Sequence, residues 1–269
     1  KNFRYVSLSL GVGRYQPHAA ADVLHDQYGD CKDKHTLLAS LLEAEGLHAS
    51  SVLINSTRKL DPDVPSPSQF DHVITLLPLG KGTDKQEVWM DTTSEVAPFR
   101  LLAYSLRKKQ ALVIPPAQPP SSVAPHLEET PADTPMPDTE FSKIDGKINE
   151  IGKLEAHVHY EFRGDEELLL RSVFRRVPQA NWQRVVENVN AALGGDITNL
   201  KVSDPAVTTQ PFTMSYDVSK VNFLDWSKKK TEIVLPLVQF NLPDVSGNDS
   251  DNDSDAEPLK LGPKAEYSY

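Results

Sequence analysis

The 269-residue chain has a single cysteine, Cys31, with three methionines and three tryptophans. One thiol excludes an intrachain disulfide and any zinc site built from several thiolates. It leaves the compartment open, because exported proteins also occur without disulfides. No stretch approaches the roughly 18 consecutive apolar residues of a membrane-spanning helix. Basic residues are outnumbered, 28 Lys and Arg against 38 Asp and Glu, for a net charge of -10. That excludes a general nucleic-acid binder, because neutralising phosphates needs a basic surface. No initiator Met precedes Lys1 and no charged-then-apolar leader follows it. The chain therefore reads as a fragment, and a missing signal peptide carries no weight. What is present is ordinary for a soluble globular protein, 39% hydrophobic and 25% charged residues. At about 150 residues per domain the length corresponds to two modest domains.

Eight of the 21 prolines fall between Pro115 and Pro137, among Ser, Thr, Ala and acidic residues. Such a composition favours an extended linker over a packed element. The reading is a first domain over 1–114, a Pro-rich linker over 115–142, a second domain over 143–240 and an acidic, disordered tail over 241–269. Within the tail, Asp249, Asp251, Asp253 and Asp255 superficially imitate a calcium loop. Ser254 and Lys260 stand where such a loop needs Gly and Glu, so calcium is not expected.

In the first domain, residues 4–10 alternate as a strand that Gly11 and Gly13 end. A helix is expected over 31–45, with Leu37, Leu38, Leu41 and Leu42 as its apolar stripe, Asp30 as cap and Gly46 as stop. Strands follow at 49–54, 72–77 and 87–91. This order predicts an α+β domain whose antiparallel sheet packs against the helix. In the second domain, 154–163 alternates as a strand with one wet face. Pro178 opens a helix carrying Trp182, Val185, Val186, Val189 and Leu193, which Gly194-Gly195 closes. Further strands are expected near Leu200, at 212–218 and at 232–238. The reading is a mostly β, sandwich-like accessory domain with one helix and no chemistry.

The chemistry gathers around Tyr28-Gly29-Asp30-Cys31-Lys32-Asp33-Lys34. The first turn of a helix stabilises a thiolate through unpaired N–H groups and the positive end of the dipole. A lone cysteine is also commonly a small buried hydrophobe, although the charged neighbours of Cys31 argue against an apolar setting. Two later motifs bear on this choice. His72 opens an apolar strand in Phe70-Asp71-His72-Val73-Ile74, and Asp91 ends the next in Trp89-Met90-Asp91-Thr92-Thr93. Adjacent antiparallel strands would bring His72 and Asp91 together. A cysteine nucleophile needs an imidazole to take its proton and a third group to orient the imidazole. Taken singly, His72 reads more readily as a strand-end histidine bonded to backbone and Asp91 as a turn residue.

These elements, with Tyr15-Gln16-Pro17-His18 ahead of them, resemble the transglutaminase-like core of bacterial proteins in the papain-like cysteine-nucleophile superfamily. The resemblance covers about residues 10 to 114. Its Gly-Asp-Cys-Lys-Asp-Lys element before a leucine-rich helix is specific, and the His and Asp elements follow in the expected order. It implies a triad of Cys31, His72 and Asp91 that acts on amide bonds of a protein or peptide substrate through a thioester. Water as acceptor would give a peptidase or deamidase, and an amine would give a transamidase. No cofactor or metal is implied. Such proteins usually carry a β-rich domain of unknown function ahead of the core, which would pack on it, and they commonly look exported to the periplasm or beyond. Lys1 to Ser9 resembles the end of that domain. The alternative is a non-catalytic binding or scaffolding module on the same fold.

Three more histidines enter the reading. His35 lies one helical turn after Cys31, and two ligands without a third argue against metal, so it is expected on the solvent side of the helix. His157 and His159 share a strand face with Glu155 and Glu161, a set that could bind a metal, but the alternation already accounts for them as a solvated face.

Overall fold

The computed structural model describes residues 3–6, 15–80, 86–117, 123–190, 194–228 and 230, and the backbone of 266–268. The expected strand at 232–238, most of the tail with its aspartates, and residues 7–14 lie outside the described residues. The chain divides into two compact units, Lys1–Met136 and Pro137–Tyr269. Both are of the mixed α+β kind with largely antiparallel sheets. Among the described residues no helix is long and apolar enough to cross a membrane.

In the first unit a short strand β1 (Arg4–Tyr5) pairs in parallel with β2 (Tyr28–Gly29). Between them lies α1 (Ala20–Asp26), which ends on Gln27 in the left-handed region at φ 57°. Then comes α2 (Cys31–Ala44), followed by β3 (Ser50–Ile54), β4 (His72–Leu79), β5 (Gln86–Met90), β6 (Gln110–Ile114) and β7 (His126–Glu129). These five strands form one antiparallel sheet in the order β5-β4-β3-β6-β7.

Alternation assigns the sheet's two faces. Val52, Ile54, Ile74, Leu76, Trp89, Ala111 and Val113 form one buried cluster, completed by Leu102 and Leu106 from the segment after β5. Ala49, Leu77 and Val88 form a second, against which Leu42 of α2 packs. Each fully buried aliphatic side chain contributes about 1.5–3 kcal/mol. α2 departs from the expected stripe. Its buried residues are Asp33, Lys34, His35 and Leu37, whereas Leu41 is 53% exposed. The polar first turn is therefore the part that goes inside, which is tolerable only where each polar group finds a partner.

The second unit contains β8 (Thr139–Ile148), β9 (Leu154–Arg163), α3 (Asp165–Arg176), α4 (Trp182–Val189), β10 (Asp196–Val202), β11 (Phe212–Lys220) and β12 (Glu266–Ser268). They make a five-stranded sheet in the order β10-β11-β9-β8-β12, antiparallel except for β12. As its alternation requires, β9 buries Ala156, Val158, Tyr160 and Phe162 and turns Glu155 and His157 outward. The sandwich expectation needs correction. Among the described residues there is one sheet with two helices, and α3 and α4 supply the second layer through Leu170, Phe174 and Val186. Arg171 and Glu167 pair inside α3 with no exposure; Arg171 also donates to the carbonyls of Asp204, Pro205 and Gln210. Every polar group of that buried pair is thereby engaged.

The linker reading is also corrected. The division between units falls inside the Pro-rich stretch, but residues 126–129 pair with β6 and β8 begins at Thr139. Pro-free segments between the prolines keep the N–H groups that a sheet ladder needs.

Candidate active site

Gly29 approaches α2 so closely that an added Cβ would lie 2.6 Å from the Asp33 Cβ; no larger residue fits there. The next residue, Asp30, is extended (φ -87°, ψ -168°) and caps the helix. Its carboxylate accepts the N–H groups of Lys32 at 3.1 Å and Asp33 at 3.2 Å, and Asp33 accepts the Asp30 N–H at 3.2 Å in return. This reciprocal capping box engages the N–H groups on either side of Cys31 but not that of Cys31 itself. The cysteine occupies the first helical position, half-buried.

The charged residues around Cys31 gather other segments. Lys32 pairs with Asp30. Asp33 accepts the His18 N–H at 2.8 Å and lies 3.1 Å from His18 Nδ1. Burial pushes the Asp33 carboxyl up, but the His18 and Asp30 hydrogen bonds prevail and hold it below its ordinary range. Lys34 is 6% exposed and reaches Glu95 at 3.6 Å, with its ammonium 5.9 Å from the Tyr5 ring centroid. One turn of helix thus ties down a stretch before α1, the strand β1 and the loop beyond Asp91.

His72 is the first residue of β4 and stands opposite Ile54 of β3. Asp91 follows the last residue of β5, where Met90 pairs with Thr75. His72 Nε2 lies 3.2 Å from Asp91 Oδ2, with the side chains 13% and 8% exposed. The Cys31 side chain lies close enough to the ring to favour its charged form. Cys31, His72 and Asp91 are therefore brought together. Burial opposes charge on His72, yet the Asp91 and Cys31 side chains outweigh it and push the ring up to about 10. Asp91 is likewise raised by burial but held low by His72 and by Thr93, whose N–H and Oγ donate to Oδ1 at 2.9 and 2.7 Å. Thr93 holds one oxygen and leaves the other for the imidazole.

The approach to His72 is also built. The Asp71 N–H donates to the Ile54 carbonyl, and its carboxylate accepts the Ser56 N–H at 2.7 Å and Oγ at 2.9 Å. Asn55, 4% exposed, accepts from the N–H groups of Thr57 and Arg58 and donates to the Gln69 carbonyl at 2.5 Å. These clamps close the 55–71 loop at the point where it delivers His72. Asp71 and Thr93 stand in the quoted motifs, whereas Asn55 and Glu95 carry no signal of their role in the sequence.

His35 corrects an expectation. It is not on the solvent side but 8% exposed, with Nδ1 2.8 Å from Thr75 Oγ1. Burial pushes it down to about 4, so it is neutral at physiological pH. His157 lies 2.7 Å from Asp217, on the wet face of β9 and β11. An open groove of about 530 Å³ runs over this pair, lined by Asp145, Lys147, Glu155 and Thr198 among others. Among the described residues no cysteine accompanies it.

No protein-family model, curated protein or solved structure matches the chain.

Proposed function

We propose that the first unit is a transglutaminase-like cysteine enzyme domain that acts on amide bonds of protein or peptide substrates. The observation that carries this reading is the buried His72 ring held between Asp91 and the Cys31 thiol at a helix N-terminus. Asp91 engages Nε2, and Nδ1 is the ring nitrogen left to exchange a proton with sulfur. Sγ attacks the substrate carbonyl carbon while His72 holds the thiol proton; the oxyanion meets the Cys31 N–H, which the capping box leaves unengaged. The C–N bond breaks as His72 passes its proton to the departing amine, leaving a thioester on Cys31. An acceptor then gives its proton to His72 and attacks the thioester carbonyl, the C–S bond breaks, and Cys31 leaves as the thiolate beside the protonated ring. Water yields the acid, and an amine yields a new amide. The second unit serves as an accessory module.

Intact-mass measurement with a peptide p-nitrophenyl ester tests the reading. The chain should gain one acyl group on Cys31, released by hydroxylamine. Both His72→Ala and Asp91→Asn should slow acylation at least about 100-fold, the usual scale of general acid–base assistance. Acylation no faster than that of the urea-unfolded chain would instead identify a non-catalytic module.

A further inference from the structure

We propose that His35 and Thr75 are positioning residues for the Cys31–His72 pair, a buried rung that sets where α2 sits along β4. The inference rests on the active-site reading above and adds a residue pair to it.

Cys31 and His35 are four residues apart on α2 and so share a helix face. His72 and Thr75 are three residues apart on β4, an odd spacing that alternation sends to opposite faces, yet α2 meets both. The helix and the strand are thus joined twice, by Cys31 with His72 at the strand's start and by His35 with Thr75 one helical turn further in. Thr75 is fully buried in a strand flanked on both sides, opposite Ser51 of β3 and Met90 of β5. Its hydroxyl is therefore fixed by the sheet rather than by its own freedom.

The other directional ties of α2, Asp33 to His18 and Lys34 to Glu95, run to loops rather than to the sheet. Apolar packing resists separation but tolerates sliding, and the helix's later turns are loosely held, with Leu41 53% exposed and Leu42 only partly buried. A 2.8 Å hydrogen bond between two buried groups fixes both distance and angle. An axial slip of α2 by one residue is 1.5 Å, which breaks this bond and carries Sγ away from the His72 ring at the same time. Misplacement of about 1 Å between reacting groups is costly in rate. The buried ring stays neutral at neutral pH, so the rung persists where the thiol must react.

The test is a cycle on the full chain, reading the second-order rate of Cys31 alkylation by iodoacetamide near neutral pH, with circular dichroism confirming the fold. Thr75→Val removes the hydroxyl and nearly preserves shape; Thr75→Ser restores the hydroxyl. Each is made with His72 intact and with His72→Ala. Thr75→Val should lower the His72-dependent part of the rate about ten-fold, Thr75→Ser should recover most of it, and neither should matter once His72 is gone. If Thr75→Val proves too unstable, His35→Gln, which keeps a neutral hydrogen-bonding group, should retain more of that rate than His35→Leu. Full His72-dependent acceleration in Thr75→Val, or equal loss in Gln and Leu, would overturn the inference while leaving the active site standing. A wild-type rate unchanged by His72→Ala would overturn the active-site reading, and the inference with it.

Discussion

The two units each carry a histidine bonded to an aspartate across neighbouring antiparallel strands, and the two pairs differ in everything else. His157 and Asp217 are closer, at 2.7 Å against 3.2 Å for His72 and Asp91, but their side chains are 53% and 40% exposed rather than 13% and 8%. Asp217 divides its carboxylate between His157 and Asn199, and water screens both. Asp91 is anchored by Thr93 on one oxygen, while the other faces a ring that also meets a thiol. Proximity alone does not make a site. Burial, a fixed orientation and a third group with chemistry of its own separate the first pair from the second.

The sharpest way to break this comparison is to remove the aspartate from each. Asp91→Ala leaves a buried, charged imidazole without its partner and should cost about 3–5 kcal/mol in urea unfolding. Asp217→Ala should leave the unfolding midpoint unchanged within error. Equal effects would mean that the two pairs are alike.

A smaller effect separates the units by pH. His35 has its folded value pushed below the unfolded 6.5 to about 4, so the unfolded chain takes up the extra proton. Stability from this group is intact above pH 6.5 and is lost as pH falls towards 4, with about 3 kcal/mol at the limit. Glu140 has the opposite sign. Burial, and then the charge of Glu166, push it from 4.5 to about 7. Its contribution is fully present below 4.5 and is lost as pH rises through 7. Moving from about pH 7 to about pH 5 should therefore destabilise the first unit and stabilise the second. Proteolysis along a thermal ramp, with fragments assigned to 1–136 or 137–269 by mass, reads both at once. Parallel shifts in the two units would contradict the assignment of these groups.

What was legible in the sequence follows from what each signal depends on. Gly29, Asp30 and Cys31 act locally, through a close approach and a capping box, and local chemistry is visible in a string of letters. The meeting of His72 with Asp91 needed only the assumption that neighbouring strands pair. The solvent-side expectation for His35 rests on the missing third metal ligand, an argument blind to the strand beneath, which offers Thr75 as a partner and makes a polar inner face tolerable. Lys34 and Asp33 were hidden for the same reason, their partners Glu95 and His18 lying far along the chain. Two helices lie outside the expected set. α1 is only seven residues long. α3 did announce itself, with Asp165, Glu166 and Glu167 in its first turn and Arg175 and Arg176 in its last, the arrangement that complements a helix dipole. Its run of leucines, Leu168 to Leu170, blurred the period.

The central claim is that His72 is a buried cation held by Asp91 and Cys31, and the ring's own titration tests it most directly. Carbon–proton NMR of the histidine rings, with the His72 resonance assigned by its loss in His72→Ala, should show a ring that stays protonated well past neutral pH and titrates towards 10. In Cys31→Ala and in Asp91→Asn the same resonance should titrate at lower pH, with the larger change for Asp91. A His72 ring that titrates near the ordinary 6.5 and ignores both substitutions would contradict the account.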